Sequence, residues 1–152
     1  MTNLQGKKTA LLAVVAGALM LGYATYAPAI DDCRPPRFAG KAPEEFNNLK
    51  APSSPAASDV AAGKRLYFDG ATDRFACATC HGDKGQGNGE MAKQYDPRPS
   101  NFSCAGTFNG ITDGQLFWII RFGSTGTAMP AHANFSDEQI WQLVAYVRVL
   151  LK

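Results

Sequence analysis

The sequence predicts an all-α domain, and three observations carry that expectation. Apolar residues recur at helical three- and four-residue spacing in three stretches, helix-start signatures stand in front of two of them, and no long run of alternating β-branched residues offers a strand. The first stretch, Asp59 to Phe68, sets Val60, Gly63, Leu66 and Tyr67 on a helical repeat, with Ser58 or Asp59 as its cap and Gly70 as its stop. The last stretch is written most clearly. Ser136 and Gln139 match a capping box, Phe135 and Ile140 match the hydrophobic staple around it, and Ile140, Leu143, Val144, Val147 and Leu151 form one apolar stripe. The same start pattern recurs at Thr112 and Gln115, flanked by Ile111 and Leu116, ahead of Phe117, Trp118, Ile119 and Ile120 and a stop at Gly123. Between the first and middle helices, Gly82 to Asn101 carries Gly85, Gly87, Gly89, Pro97 and Pro99, which is loop chemistry. Residues 58–152 are therefore expected to form one helical domain with long loops.

Two segments precede that domain. Residues 1–29 open with Lys7 and Lys8 and continue uncharged from Ala10 to Ala29, about the length of helix needed to cross a bilayer core. Tyr23 and Tyr26 stand where an outer interfacial belt would lie, and Ala27-Pro28-Ala29 resembles a signal-peptidase exit. The run reads as a retained apolar membrane helix or as a cleaved signal, with its length favouring the anchor. On either reading the two lysines stay inside, and the domain lies on the extracytoplasmic, periplasmic side. Residues 30–57 hold prolines at 35, 36, 43, 52 and 55, a composition that discourages helix and sheet and reads as a tether or as coil draped over the domain.

Composition narrows the function. A hydrophobic fraction of 45% against 18% charged residues suits a globular core. Lysine and arginine number 15 against 13 aspartate and glutamate; with Lys7 and Lys8 set aside as part of the first segment, the remainder is neutral. Without a basic stripe, nucleic acid is not an expected partner.

The chemistry is concentrated at Cys77-Ala78-Thr79-Cys80-His81. Two thiols three residues apart can each add to a vinyl group of one haem, and the histidine that follows then lies under the ring as an iron ligand. A redox C-x-x-C pair would want a βαβ context, and a zinc site would want a second ligand pair; Cys33, Cys104 and His132 do not supply one at suitable spacing.

Cys77 to His81, the later Met129-Pro130 and the helices at both ends together resemble the class I cytochromes c, over about Ser58 to Lys152. The resemblance implies that family's fold, of about three to five helices around one covalent haem c. It implies Cys77 and Cys80 as attachment points, His81 as one axial ligand and Met129 as the other. Met91 and His132 are the rival ligands, the first read as a surface or packing residue and the second as solvent-facing. The family's glycine-on-aromatic helix crossing matches Gly63 and Tyr67 on one side with Leu143 and Tyr146 on the other. Pro97 or Pro99 is expected in the loop whose carbonyl accepts the His81 Nδ1 proton, and Trp118 and Phe122 are expected as pocket lining.

Cys33 and Cys104 remain. The residues before Cys33, Ala29-Ile30-Asp31-Asp32, lack the pattern of a lipid-attachment site, and an oxidising compartment favours a Cys33–Cys104 disulfide that holds the 34–58 segment against the domain. The expected function is one-electron transfer between redox proteins rather than catalysis. The cytochrome is read as a membrane-anchored subunit of a larger complex; the alternatives are a soluble shuttle and a ligand-binding haem protein. No small-molecule substrate is expected.

Overall fold

A computed structural model of the chain describes residues 33, 40–52, 55–70 and 76–151. The expected membrane helix or signal, 1–29, lies outside the described residues. Among the described residues no helix is long and apolar enough to cross a membrane.

The described secondary structure is helical, in the order α1 (Glu44–Asn47), α2 (Ala57–Asp69), α3 (Cys77–His81), α4 (Ala105–Phe108), α5 (Asp113–Phe122) and α6 (Asp137–Leu150). Three of these, α1, α3 and α4, are single turns of four or five residues. A short 3₁₀ turn, Ala92–Gln94, sits in the glycine- and proline-rich loop.

The longest helix starts where its cap signature says it should. Ser136 Oγ accepts from the Gln139 amide and Gln139 Oε1 accepts from the Ser136 amide, so two backbone donors with no helical partner are satisfied. Behind the cap, Ile140, Leu143, Val144, Tyr146 and Val147 are buried on one face, and Phe135 packs into the same cluster. Fully burying an aliphatic or aromatic side chain contributes roughly 1.5–3 kcal/mol, so this stripe holds the helix far more firmly than its cap does. Helix α2 packs on α6, and Gly63 lies directly against the α6 main chain. Its start differs from expectation. Ala56 occupies the cap position and has no side-chain acceptor, so Asp59 serves from inside the first turn, accepting from the Ala56 amide at 3.1 Å.

Helix α5 repeats the cap only in part. Thr112 Oγ1 accepts from the Gln115 amide at 3.0 Å, but the Gln115 side chain turns away from its own helix start. Its Oε1 accepts from the Ala42 amide at 2.7 Å and its Nε2 donates to the Gly40 carbonyl. Residues 40–50, expected from their composition to lack regular structure, are thereby held on α5. Thr112 Oγ1 also donates to Asn47 Oδ1, and the Phe46 ring of α1 stacks 6.4 Å from Phe117. Two arginines tie α5 to α6 at opposite ends. Arg148 donates to Asp113 Oδ1 at 2.7 Å and to the Ile111 carbonyl, while Arg121 pairs with Asp137 and donates to the Phe135 carbonyl. Cys33 and Cys104 form the expected disulfide, with Cys104 buried at the cap of α4.

Candidate functional site

The C-x-x-C-H residues make up the single turn of α3, preceded by Ala76 in extended conformation. A turn this short leaves its carbonyls without helical partners. The glycine-rich loop supplies them: the Gly87 amide donates to the His81 carbonyl, Gly89 to Cys80 and Met91 to Thr79, at 2.8–3.1 Å. Close return of the chain is why glycine stands at 89, where a β-carbon would fall 2.3 Å from the Thr79 carbonyl oxygen. The loop thus fixes the turn that presents both thiols and the imidazole in one direction.

His81 is held twice more. Its Nδ1 lies 3.1 Å from the Ser100 carbonyl, which can only accept, so Nδ1 carries the proton and Nε2 keeps its lone pair. The accepting carbonyl belongs to Ser100, the residue after Pro99 in the loop expected to supply it. Burial holds the His81 pKa below its ordinary range and His132 adds to that effect, against the opposing hydrogen bond to Ser100. The imidazole is therefore neutral, as a metal ligand must be. Its face stacks on the Phe102 ring, centroid to centroid 4.5 Å.

On the far side in sequence, Met129 closes a tight turn. The Ser124 amide donates to the Met129 carbonyl, Thr127 Oγ1 donates to the Ser124 carbonyl, and the Met129 amide donates back to Thr127 Oγ1. The turn and α3 border one cleft, partly open to solvent. Ala76, Cys77, Cys80 and His81 line it together with Tyr95, Pro97, Arg98, Pro99 and Ser100, and with Ser124, Thr127, Ala128, Met129, Pro130 and His132. All four residues singled out from the sequence, Cys77, Cys80, His81 and Met129, thus face a common space.

Of the two rival ligands, only His132 departs from its expected place. Met91 is not among the lining residues; its amide supports α3 instead. His132, expected to face solvent, is only 9% exposed and lines the cleft, with its ring stacked on Phe135. Trp118 and Phe122 do not line the cleft. Trp118 covers Gly40, and Phe122, 52% exposed, stands edge-on to Phe46, because the packing of residues 40–50 on α5 draws both to that side. Ser100 and Phe102 escaped the sequence reading, since neither residue type signals a contact with a histidine far along the chain.

The donor set fits a covalent haem. Cys77 and Cys80 stand outside the disulfide, on one turn, and burial pushes Cys77 up to about 11 and Cys80 upward. His81 offers an unprotonated Nε2, and Met129 offers a soft thioether from another wall of the same cleft.

Comparison with known proteins agrees with this geometry. The family model for cytochrome c matches residues 60–150, well over half of the chain, and the chain belongs to the cytochrome c family. Its cofactor is accordingly a covalently attached haem c. No curated protein matches the chain. Among solved structures it is similar to a chain of the Kuenenia stuttgartiensis reducing HAO-like protein complex, with a TM-score of 0.57 and 29% identity over 66% of this chain and 47% of that one. The chain thus spans less than half the length of that relative.

Proposed function

We propose that the protein passes single electrons outside the cytoplasm through one haem c, attached by thioether bonds at Cys77 and Cys80 and ligated axially by His81 and Met129. The observation that carries this reading is that a hydrogen-bonded histidine and a turn-fixed methionine border one cleft with two cysteines that take no part in the disulfide. When bound, the haem supplies a one-electron iron couple, which a neutral thioether ligand biases toward Fe(II). The chain's own residues do the rest. The two cysteines fix the group's position, the Ser100 carbonyl holds the imidazole tautomer, and Met129 fills the sixth position that a ligand-binding haem protein would leave open.

The further reading is a membrane-attached subunit of a redox complex, whose partners are other redox proteins. The uncharged run Ala10–Ala29 supports attachment, and the similar solved chain belongs to a protein complex. A free shuttle, released by cleavage after Ala29, is the competing form.

Mass spectrometry of the denatured protein tests the first reading. A peptide spanning Cys77 and Cys80 should carry one haem, and an unmodified peptide from coloured protein would refute it. Alkaline carbonate washing of membranes tests the second. The cytochrome should leave only with detergent; recovery in the soluble fraction with a mature N-terminus at Ile30 would establish the shuttle.

A further inference from the structure

The segment from Ser100 to Cys104 touches the His81 imidazole in two ways. The Ser100 carbonyl accepts from Nδ1 at 3.1 Å, and the Phe102 ring lies against the imidazole face with only 17° between the planes. These contacts constrain different motions. A hydrogen bond fixes where Nδ1 points but still lets the ring turn about the N···O line. A flat ring against the face removes that freedom.

Phe102 is itself held from several directions. It is 8% exposed, its amide donates to the Gly85 carbonyl at 2.6 Å, and its ring meets Phe108 edge-on at 5.3 Å. Two residues on, Cys104 is tied to Cys33. A ring fixed by its own backbone, by an aromatic neighbour and by a cross-linked flank is a firm stop for the imidazole.

We propose that Phe102 is a positioning residue: its ring sets the plane of the His81 imidazole and, through it, the electronic state of the iron that His81 binds. The proposal rests on His81 being an axial ligand. Groups beyond the ligands commonly tune a metal by orienting them. The orientation of an axial imidazole plane fixes the in-plane anisotropy of a low-spin ferric haem. That anisotropy is visible in electron paramagnetic g values and in the spread of the haem-methyl proton shifts. A merely structural Phe102 would affect stability and leave those signals alone.

The test uses the haem-loaded full chain and three variants: Phe102→Leu, Phe102→Tyr and Phe117→Leu. Phe102→Leu should shift the g values, change the methyl-shift spread and move the midpoint potential, and Phe102→Tyr, which keeps the flat ring, should restore all three. Phe117 is another buried core aromatic that stacks on Phe46 and packs against Trp141, so Phe117→Leu should lower Tm with the spectrum unchanged. Wild-type g values and methyl shifts in Phe102→Leu, or equal shifts in Phe117→Leu, overturn the proposal. Should Phe102→Leu yield no loaded protein, Phe102→Met, whose flexible unbranched chain fills irregular space without a ring, takes its place under the same criteria. Failure of the ligand assignment is separately visible, because the wild-type protein itself would then lack a low-spin His/Met spectrum.

Discussion

Gly63 of α2 lies directly against the main chain of Gln142 in α6: a β-carbon at residue 63 would stand 1.9 Å from the Gln142 carbonyl oxygen and 3.0 Å from Cβ of Tyr146. No side-chain rotation relieves a clash with backbone, so the helices would have to part. Overpacking of this kind costs typically 1–3 kcal/mol, and the backbone contact puts Gly63→Ala at about 3 kcal/mol. For a domain of this size Tm should fall by roughly 10–20 °C. Gly106, with open space where its β-carbon would go, is the control, and Gly106→Ala should leave Tm within about 3 °C. Calorimetry of both variants checks the pair, and equal losses would show that the crossing does not depend on Gly63.

Met129 and Met91 separate just as sharply. Met129 lines the cleft from a turn pinned at Ser124 and Thr127, whereas Met91 is spent supporting α3 through its amide. Met129→Ala should lower the midpoint potential, because the thioether that favours Fe(II) is gone, and should let carbon monoxide bind. Met91→Ala should do neither. Because His132 also lines the cleft, the double variant Met129→Ala, His132→Ala is needed as well. Carbon monoxide binding seen only in the double variant would mean that His132 takes the vacant position.

The Cys33–Cys104 bond spans 71 residues of sequence and closes a loop that contains α1, α2, α3 and the glycine-rich loop. Cross-links of such loops stabilise by typically 2–4 kcal/mol, chiefly by restricting the unfolded chain. Cys33→Ser with Cys104→Ser should therefore lower the denaturation midpoint by a corresponding amount while retaining haem. Non-reducing peptide mapping should find the two peptides linked in wild type. Free thiols at both positions would contradict the structure directly.

Local grammar was legible in the sequence and tertiary placement was not. The Ser136–Gln139 box and its apolar stripe specify α6 because every contact involved lies within a few residues, and the C-x-x-C-H turn is legible for the same reason. Gln115 shows the limit: it stands at the right position for a cap, yet its side-chain amide is taken by the backbone of Gly40 and Ala42, far away along the chain. The same packing of residues 40–50 on α5 carries Trp118 and Phe122 away from the cleft. His132 turned inward because its amide bonds to the Ile120 carbonyl and its ring stacks on Phe135, neither of which periodicity encodes. Ser100 and Phe102 reach His81 only because the loop from Gly85 folds back, through a hydrogen bond between Phe102 and Gly85.

Tyr67 gives a prediction that depends on pH. Its side chain is fully buried, its hydroxyl donates to the Gly82 carbonyl at 2.7 Å just past the haem-attachment turn, and its ring meets Tyr146 of α6. Burial raises its pKa well above the ordinary tyrosine value, and the Asp83 carboxylate adds to the effect. The unfolded chain ionises this phenol near pH 10, whereas the folded protein keeps it neutral. The unfolded state therefore binds fewer protons above about pH 10, and stability falls with rising pH there. Below that point the neutral Tyr67 contributes in full, through a buried hydrogen bond worth about 1 kcal/mol. Tyr67→Phe should accordingly melt lower than wild type at pH 7, by a few °C, and lose less as pH climbs from 10 to 11, so that the two Tm curves converge. The remaining alkaline slope in the variant comes partly from Tyr146, whose pKa burial also raises. Thermal melts from pH 7 to 11 decide the matter: parallel curves would mean that Tyr67 ionises in the folded protein as readily as in the unfolded chain.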